Sequence, residues 1–150
     1  MANNEPIGIY IAKIKLLQER IFGNLLVENG IEVFNSPQSR ILFTLWLEDN
    51  ITISELSKKT GLAKTTLTSM LDRLESQGNV KRILSTEDRR AIRIVLTEKA
   101  RSLEEPYETA RDAMRNINFK GFSSEEIEDF ETKLIKILNN LNEYADNNIK

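Results

Sequence analysis

The sequence predicts a mainly α (α+β) chain: a winged helix-turn-helix with a two-stranded wing, flanked by long N- and C-terminal helices. Three observations predict it. Apolar residues recur at helical spacing over most of the 150 residues. Two runs rich in β-branched residues, 80–84 and 91–96, alternate with period two around a charged turn. Just before them, two short helical patterns are joined only by a turn at Gly61.

The elements follow in order. Tyr10, Ile14, Leu17, Ile21 and Leu25 form one helical stripe, so 7–28 reads as a helix. A break is expected from Val33 to Pro37, with Ser36 capping the next helix and Pro37 in its first position, where a missing N–H costs nothing. That helix carries Ile41, Leu42, Leu45 and Trp46 and ends before Glu48-Asp49-Asn50. Thr52-Ile53-Ser54-Glu55 is a capping-box pattern that starts a short helix to about Lys59. After Gly61 a second helix is expected from about Lys64 to Gln77, with Leu67, Met70, Leu71 and Leu74 on one face and Gly78 in the left-handed position after it. The two wing strands come next. Thr97 then caps a helix reaching about Ile117, in which Pro106 predicts a kink or a late start. Ser123-Ser124-Glu125-Glu126 is another capping signature. It opens a last helix with Ile127, Phe130, Leu134, Ile137, Leu141 and Tyr144 in the rhythm of helix-on-helix packing. The Asn-rich tail from Asn139 is expected to fray.

Composition narrows the chemistry. There is no cysteine and no histidine, which removes disulfides, zinc-thiolate sites, thiol redox sensing and the commonest general base. No cofactor is implied: there is no Gly-rich phosphate loop, no metal-ligand cluster and no nucleophile beside a base, so an enzyme is not expected. With no signal-peptide pattern and no long apolar run, the expected location is cytoplasmic, with no membrane partner. The formal net charge is −2, but it is unevenly spread. Residues 57–93 hold nine Lys or Arg against four Asp or Glu, net +5. The remainder holds 12 against 19, net −7. A basic block in an acidic chain is the footprint of polyanion binding.

The second short helix keeps Lys64, Thr65, Thr66, Thr68, Ser69 and Arg73 off its apolar face. Hydroxyls and cations there suit phosphates and base edges in a major groove. The wing turn carries Arg89 and Arg90, and a narrow minor groove attracts inserted Arg. Asp88 beside them is expected to brace the wing through an ion pair with Arg73.

Leu71-Asp72-Arg73-Leu74-Glu75 followed by Gly78 resembles the end of a recognition helix in the multiple-antibiotic-resistance regulator (MarR) family. Asp88-Arg89-Arg90-Ala91 followed by Ile94-Val95-Leu96-Thr97 resembles that family's wing. The resemblance covers nearly the whole chain. It implies that Arg90 enters the minor groove and that Asp88 braces the wing toward Arg73. It also implies a homodimer on pseudo-palindromic double-stranded DNA, joined by the first helix and the last two. The long terminal stripes agree with a dimer, because a small winged-helix core cannot cover them. The expected organisation is a DNA-binding lobe over 33–97 and an intertwined helical dimerisation region over 1–32 and 98–150. Without Cys the family's peroxide-sensing branch is excluded, and the lack of His argues against its zinc-sensing branch. What the resemblance leaves is a repressor released by a small organic effector, often an aromatic acid. Tyr10, Phe22, Phe43, Trp46 and Tyr107 are the candidate lining of such a ligand site, with Arg40 or Lys15 to receive a carboxylate. Aromatic residues at helical spacing are more often core. The alternative to a DNA-binding transcriptional regulator is a winged-helix protein-interaction module that does not bind DNA, which the acidic remainder allows.

Overall fold

Seven helices and three short strands are seen in the computed structural model of the chain, which describes residues 6–31 and 34–149. Contacts divide the chain into two compact units, 1–114 and 115–150.

In the first unit, α1 (Ile7–Glu28) buries only Leu26. Of its predicted stripe, Tyr10, Ile14 and Leu17 are exposed, whereas Leu25 is partly buried against the core. The helix α2 (Ser36–Leu47) begins one residue before the sequence expectation. Asn35, not Ser36, is the cap: its side chain accepts the Gln38 N–H at 2.9 Å, while the Gln38 side chain accepts the Asn35 N–H at 3.1 Å. An Asx cap closed by Gln three residues on satisfies two end groups at once. Pro37 falls in the second helical position, still within the first turn where no N–H is needed. The part of the expected break at Val33 lies outside the described residues.

The helix α3 (Ile53–Thr60) opens on the predicted Thr52–Glu55 capping box. It is followed by α4 (Lys64–Ser76), β2 (Val80–Leu84) and β3 (Ile92–Leu96). The structure adds a strand the sequence does not announce: β1 (Ile51–Thr52) pairs antiparallel with β3, giving a three-stranded sheet in the order β1-β3-β2. Two residues carry no periodicity, and their pairing is set by the turn before them. Asn50 sits there at φ 59. The Asp49 carboxylate accepts the Asn50 and Leu96 N–H groups at 2.8 and 2.9 Å and pairs with Arg101 at 2.9 Å.

The predicted helix after Thr97 is two helices. The first, α5 (Glu98–Arg101), is capped by Thr97, and α6 (Glu104–Asn118) starts afresh after Ser102-Leu103. Pro106 is therefore the third residue of α6: a late start rather than a kink. The core is one cluster built on Ile41, Leu42 and Leu45 of α2, Leu56 of α3, Leu67, Leu71 and Leu74 of α4, and Val80 and Ile94 of the sheet. Each of these is at most 1% exposed.

In the second unit, α7 (Ser124–Asn148) starts on the predicted Ser123–Glu126 capping box and buries no residue. It remains helical through the Asn-rich segment that the sequence predicts to fray. Phe119 meets Phe122 and Phe130 edge-on, and Leu134, Ile137, Leu141 and Tyr144 are exposed.

Leu71→Ala is expected to lower the unfolding free energy by about 2–5 kcal/mol, because Leu71 is fully buried where α4 meets the core. Urea titration followed by circular dichroism measures it. A loss well under about 1 kcal/mol would mean that this face does not anchor α4.

Candidate nucleic-acid interface

Local geometry puts α4 at the surface on one side. Gly61 ends α3 in the left-handed conformation at φ 71, the sharp reversal that a side chain would strain. Ser57 closes the turn by donating to the Leu62 carbonyl at 2.9 Å. Ala63 then takes the cap position of α4 and offers no side-chain hydrogen bond, and the first turn has no acidic residue. The leading N–H groups of α4 therefore face outward without an anionic side chain beside them.

Burial of Leu67, Leu71 and Leu74 turns the other side of α4 to solvent. Lys64, Thr65, Thr68, Ser69 and Arg73 are all exposed there, and Thr66 is half-buried at the edge of the core. Thr65, Ser69 and Arg73, four apart, form one row. Lys64, Thr68, Asp72 and Glu75 form the next row, toward the wing. The Thr68 hydroxyl donates to the Lys64 carbonyl at 2.9 Å, leaving its lone pairs outward.

The wing tip is built by its own polar groups. Ser85 is buried, and its hydroxyl accepts the Glu87 and Asp88 N–H groups at 3.3 and 3.4 Å. Asp88 accepts the Arg90 N–H at 3.0 Å. That is an Asx turn, and it leaves Arg89 and Arg90 fully displayed. The expected Asp88–Arg73 pair is absent among the described residues. The brace between helix and wing is Arg82 instead. Its guanidinium meets Asp72 at 2.7 Å and Glu75 at 3.0 Å, and its own N–H donates to Glu75 at 3.2 Å. The physical reason is position: Asp88 is spent on its own turn, whereas Arg82 lies on the strand face turned to α4, opposite two acids three residues apart. With a side chain only 22% exposed, Arg82 is less screened than an ordinary surface partner.

This arrangement sorts the charges. Two acids of the basic block are neutralised by Arg82. Lys64, Arg73, Arg89 and Arg90 form no ion pair among the described residues. Two open cations and a row of hydroxyls on α4, with two more open cations at the wing tip, have the chemistry to hold a phosphate backbone and read groove edges. Among the described residues no three His, Cys, Asp or Glu group as metal ligands, and no helix is long and apolar enough to cross a membrane.

The aromatic candidates fare differently. Tyr107 is 5% exposed. It meets Trp46 at 4.7 Å, Phe22 edge-on at 5.4 Å and Phe43 stacked at 6.4 Å between ring centres. Trp46 also donates to the Ala100 carbonyl at 3.0 Å, and Arg111 lies over Phe43. These rings pack α6 against α1 and α2. Tyr10 is not among them: it stands 12 residues before Phe22 on the same helix, about 18 Å along its axis. Arg40 donates to the Thr60 carbonyl at 3.2 Å, at the end of α3, and Lys15 is exposed on α1.

The sequence profile of the MarR family matches residues 34–92. An HTH-type transcriptional regulator of Bacillus subtilis, YsmB, is 34% identical over 119 residues, 75% of this chain and 81% of its own. The fold superposes on a MarR mutant from E. coli crystallised with operator DNA at a TM-score of 0.78. The two are 26% identical, covering 89% of this chain and 94% of that one. It also superposes at 0.79 on Bordetella bronchiseptica BpsR, whose DNA binding is regulated by 6-hydroxynicotinic acid. That chain is 18% identical, a likeness of fold alone, with 91% and 96% covered.

Burial raises the Tyr107 hydroxyl above its ordinary pKa, a shift partly offset by the nearby Arg111 charge and a hydrogen bond with Ser39. The folded protein holds a proton that the unfolded chain sheds at about pH 10. This contribution is thus fully present below about pH 10 and is lost as pH rises through the folded value. Urea midpoints measured from about pH 8 to 11 are expected to fall more steeply in the wild type than in Tyr107→Phe. Parallel declines would contradict the burial argument.

Proposed function

The chain belongs to the MarR family of transcriptional regulators, and from that premise we propose that it is a homodimeric, sequence-specific DNA-binding repressor acting in the cytoplasm. The observation that carries this reading is the outward row of open cations and hydroxyls on α4, with two more open cations at the wing tip, on an otherwise acidic chain. In this reading α4 is the recognition helix. Lys64, Thr65, Thr66, Thr68, Ser69 and Arg73 meet the major groove, and Arg89 and Arg90 reach the flanking minor groove. The family and fold are those of regulators rather than enzymes.

The DNA-binding lobe is residues 33–97, and the segments 1–32 and 98–150 supply the dimer. Exposed apolar stripes on α1 and on α7 support that assignment, each being the kind of face that a second copy would bury. A two-fold dimer places two recognition helices about 34 Å apart on a pseudo-palindromic site. Occupying a promoter blocks transcription. A small organic ligand, an aromatic acid by likeness to the BpsR regulator, releases the DNA if it binds better to a conformation in which that spacing is wrong. Its contacts would come from the Phe43, Trp46 and Tyr107 cluster, which joins the lobe to α6.

Arg90→Ala is expected to weaken binding to the cognate duplex by about 1–3 kcal/mol while leaving the fold intact, as read by fluorescence anisotropy. Affinity of the wild type is expected to fall steeply with salt, and the variant's slope to be shallower by about one. Wild-type affinity in a folded Arg90→Ala protein would remove the wing from the interface. No duplex binding by the wild type at low salt would favour a protein-interaction module.

A further inference from the structure

Leu84 and Ile92 are the outermost cross-strand pair of the wing, and they are 72% and 38% exposed. Their direction is set by the strand period. Val80, Arg82 and Leu84 share one face of β2, opposite Leu96, Ile94 and Ile92 of β3. Val80 and Ile94 on that face are buried in the core, and Arg82 binds Asp72 and Glu75 of α4. The face turned to α4 therefore continues outward, beyond the core, as an uncovered apolar pair.

What lies across from that pair follows from chain direction. After the turn at Gly78, β2 runs back alongside α4, with Arg82 level with Asp72 and Glu75 and its far nitrogen 3.5 Å from the Thr68 carbonyl. Leu84 is two residues further on, about 6.6 Å along the strand. That brings the pair toward the N-terminal half of α4, where Lys64 and Thr68 continue the row of Asp72 and Glu75. Leu84 and Ile92 thus continue the strand face on which Arg82 reaches α4, and Lys64 and Thr68 continue the helix row that Arg82 reaches. Arg89 and Arg90 lie in the turn just beyond the pair.

An open cation row on the helix and an exposed apolar pair on the wing match one strand of duplex DNA, whose phosphates are anionic and whose sugars present C–H faces. We propose that the DNA strand passing between α4 and the wing seats its deoxyribose on Leu84 and Ile92 while its phosphate lies toward Lys64. This rests on the regulator reading above. Phosphate contacts release counterions, whereas apolar contact with a sugar does not. The pair therefore supplies a part of the affinity that salt leaves unchanged.

The test uses the full-length protein and a labelled duplex about two helical turns long, enriched from a random pool on the wild type. Leu84→Ser is expected to bind at least about fivefold more weakly at every salt concentration, with the wild-type salt slope and an unchanged thermal midpoint. Leu84→Met is expected to restore most of the loss. Full affinity in Leu84→Ser overturns the proposal, as does a weakened variant with a shallower slope. A change in oligomeric mass in Leu84→Ser would overturn it by assigning the pair to another copy of the chain. If the wild type enriches no duplex, the proposal falls together with the regulator reading. If the wild type binds and Leu84→Ser binds equally, only the sugar contact is lost.

Discussion

Burial of one face of α4 is the constraint from which the rest follows. Leu67, Leu71 and Leu74 are completely enclosed, so the helix can neither rotate nor slide without exposing them. Its hydroxyl and cation rows are consequently held outward. The same helix runs into β2 through a single turn, and Val80 is buried in the same cluster. Helix and wing are thus positioned by one core rather than by two. Thr97 strengthens the joint: its hydroxyl donates to the Gly78 carbonyl at 2.7 Å and also accepts the Ala100 N–H at 3.2 Å.

Electrostatics then acts on a frame already set. The two acids of α4 lie on the side toward the wing, where they would repel a phosphate strand if left open. Arg82 neutralises both and ties the strand to the helix in the same contact. On the other side of the sheet, Asp49 joins β3 to α5 through the Leu96 N–H and Arg101, while Arg93 donates to the Asn50 carbonyl at 2.7 Å. The wing root is thus fastened on both edges. The tip projects with an internal hydrogen-bond network of its own, made by Ser85 and Asp88.

Much of this was legible in the sequence because it rests on local rules. The Thr52 and Ser123 capping boxes, the Gly61 reversal and the period-two strands appear where the residues place them. The expected groove residues of α4 are off its buried face, since a helical period decides that by itself. What was not legible depends on contacts far apart in sequence. β1 exists only because β3 lies beside it, and Arg82 rather than Asp88 braces the wing because of where a strand face meets a helix face. Asn35 displaced Ser36 as a cap because Gln38 completes the reciprocal pair. The split between α5 and α6 at Ser102-Leu103 carries no breaker residue of its own, and the nearby Pro106 fits the first turn of α6.

The central claim is that α4 and the wing read DNA together, twice, in a symmetric complex. Hydroxyl-radical footprinting on the enriched duplex tests it most directly. Two equivalent protected regions about one helical turn apart are expected, each flanked by minor-groove protection at the reach of Arg89 and Arg90. A single unsymmetrical footprint, or one with no minor-groove protection, would contradict it.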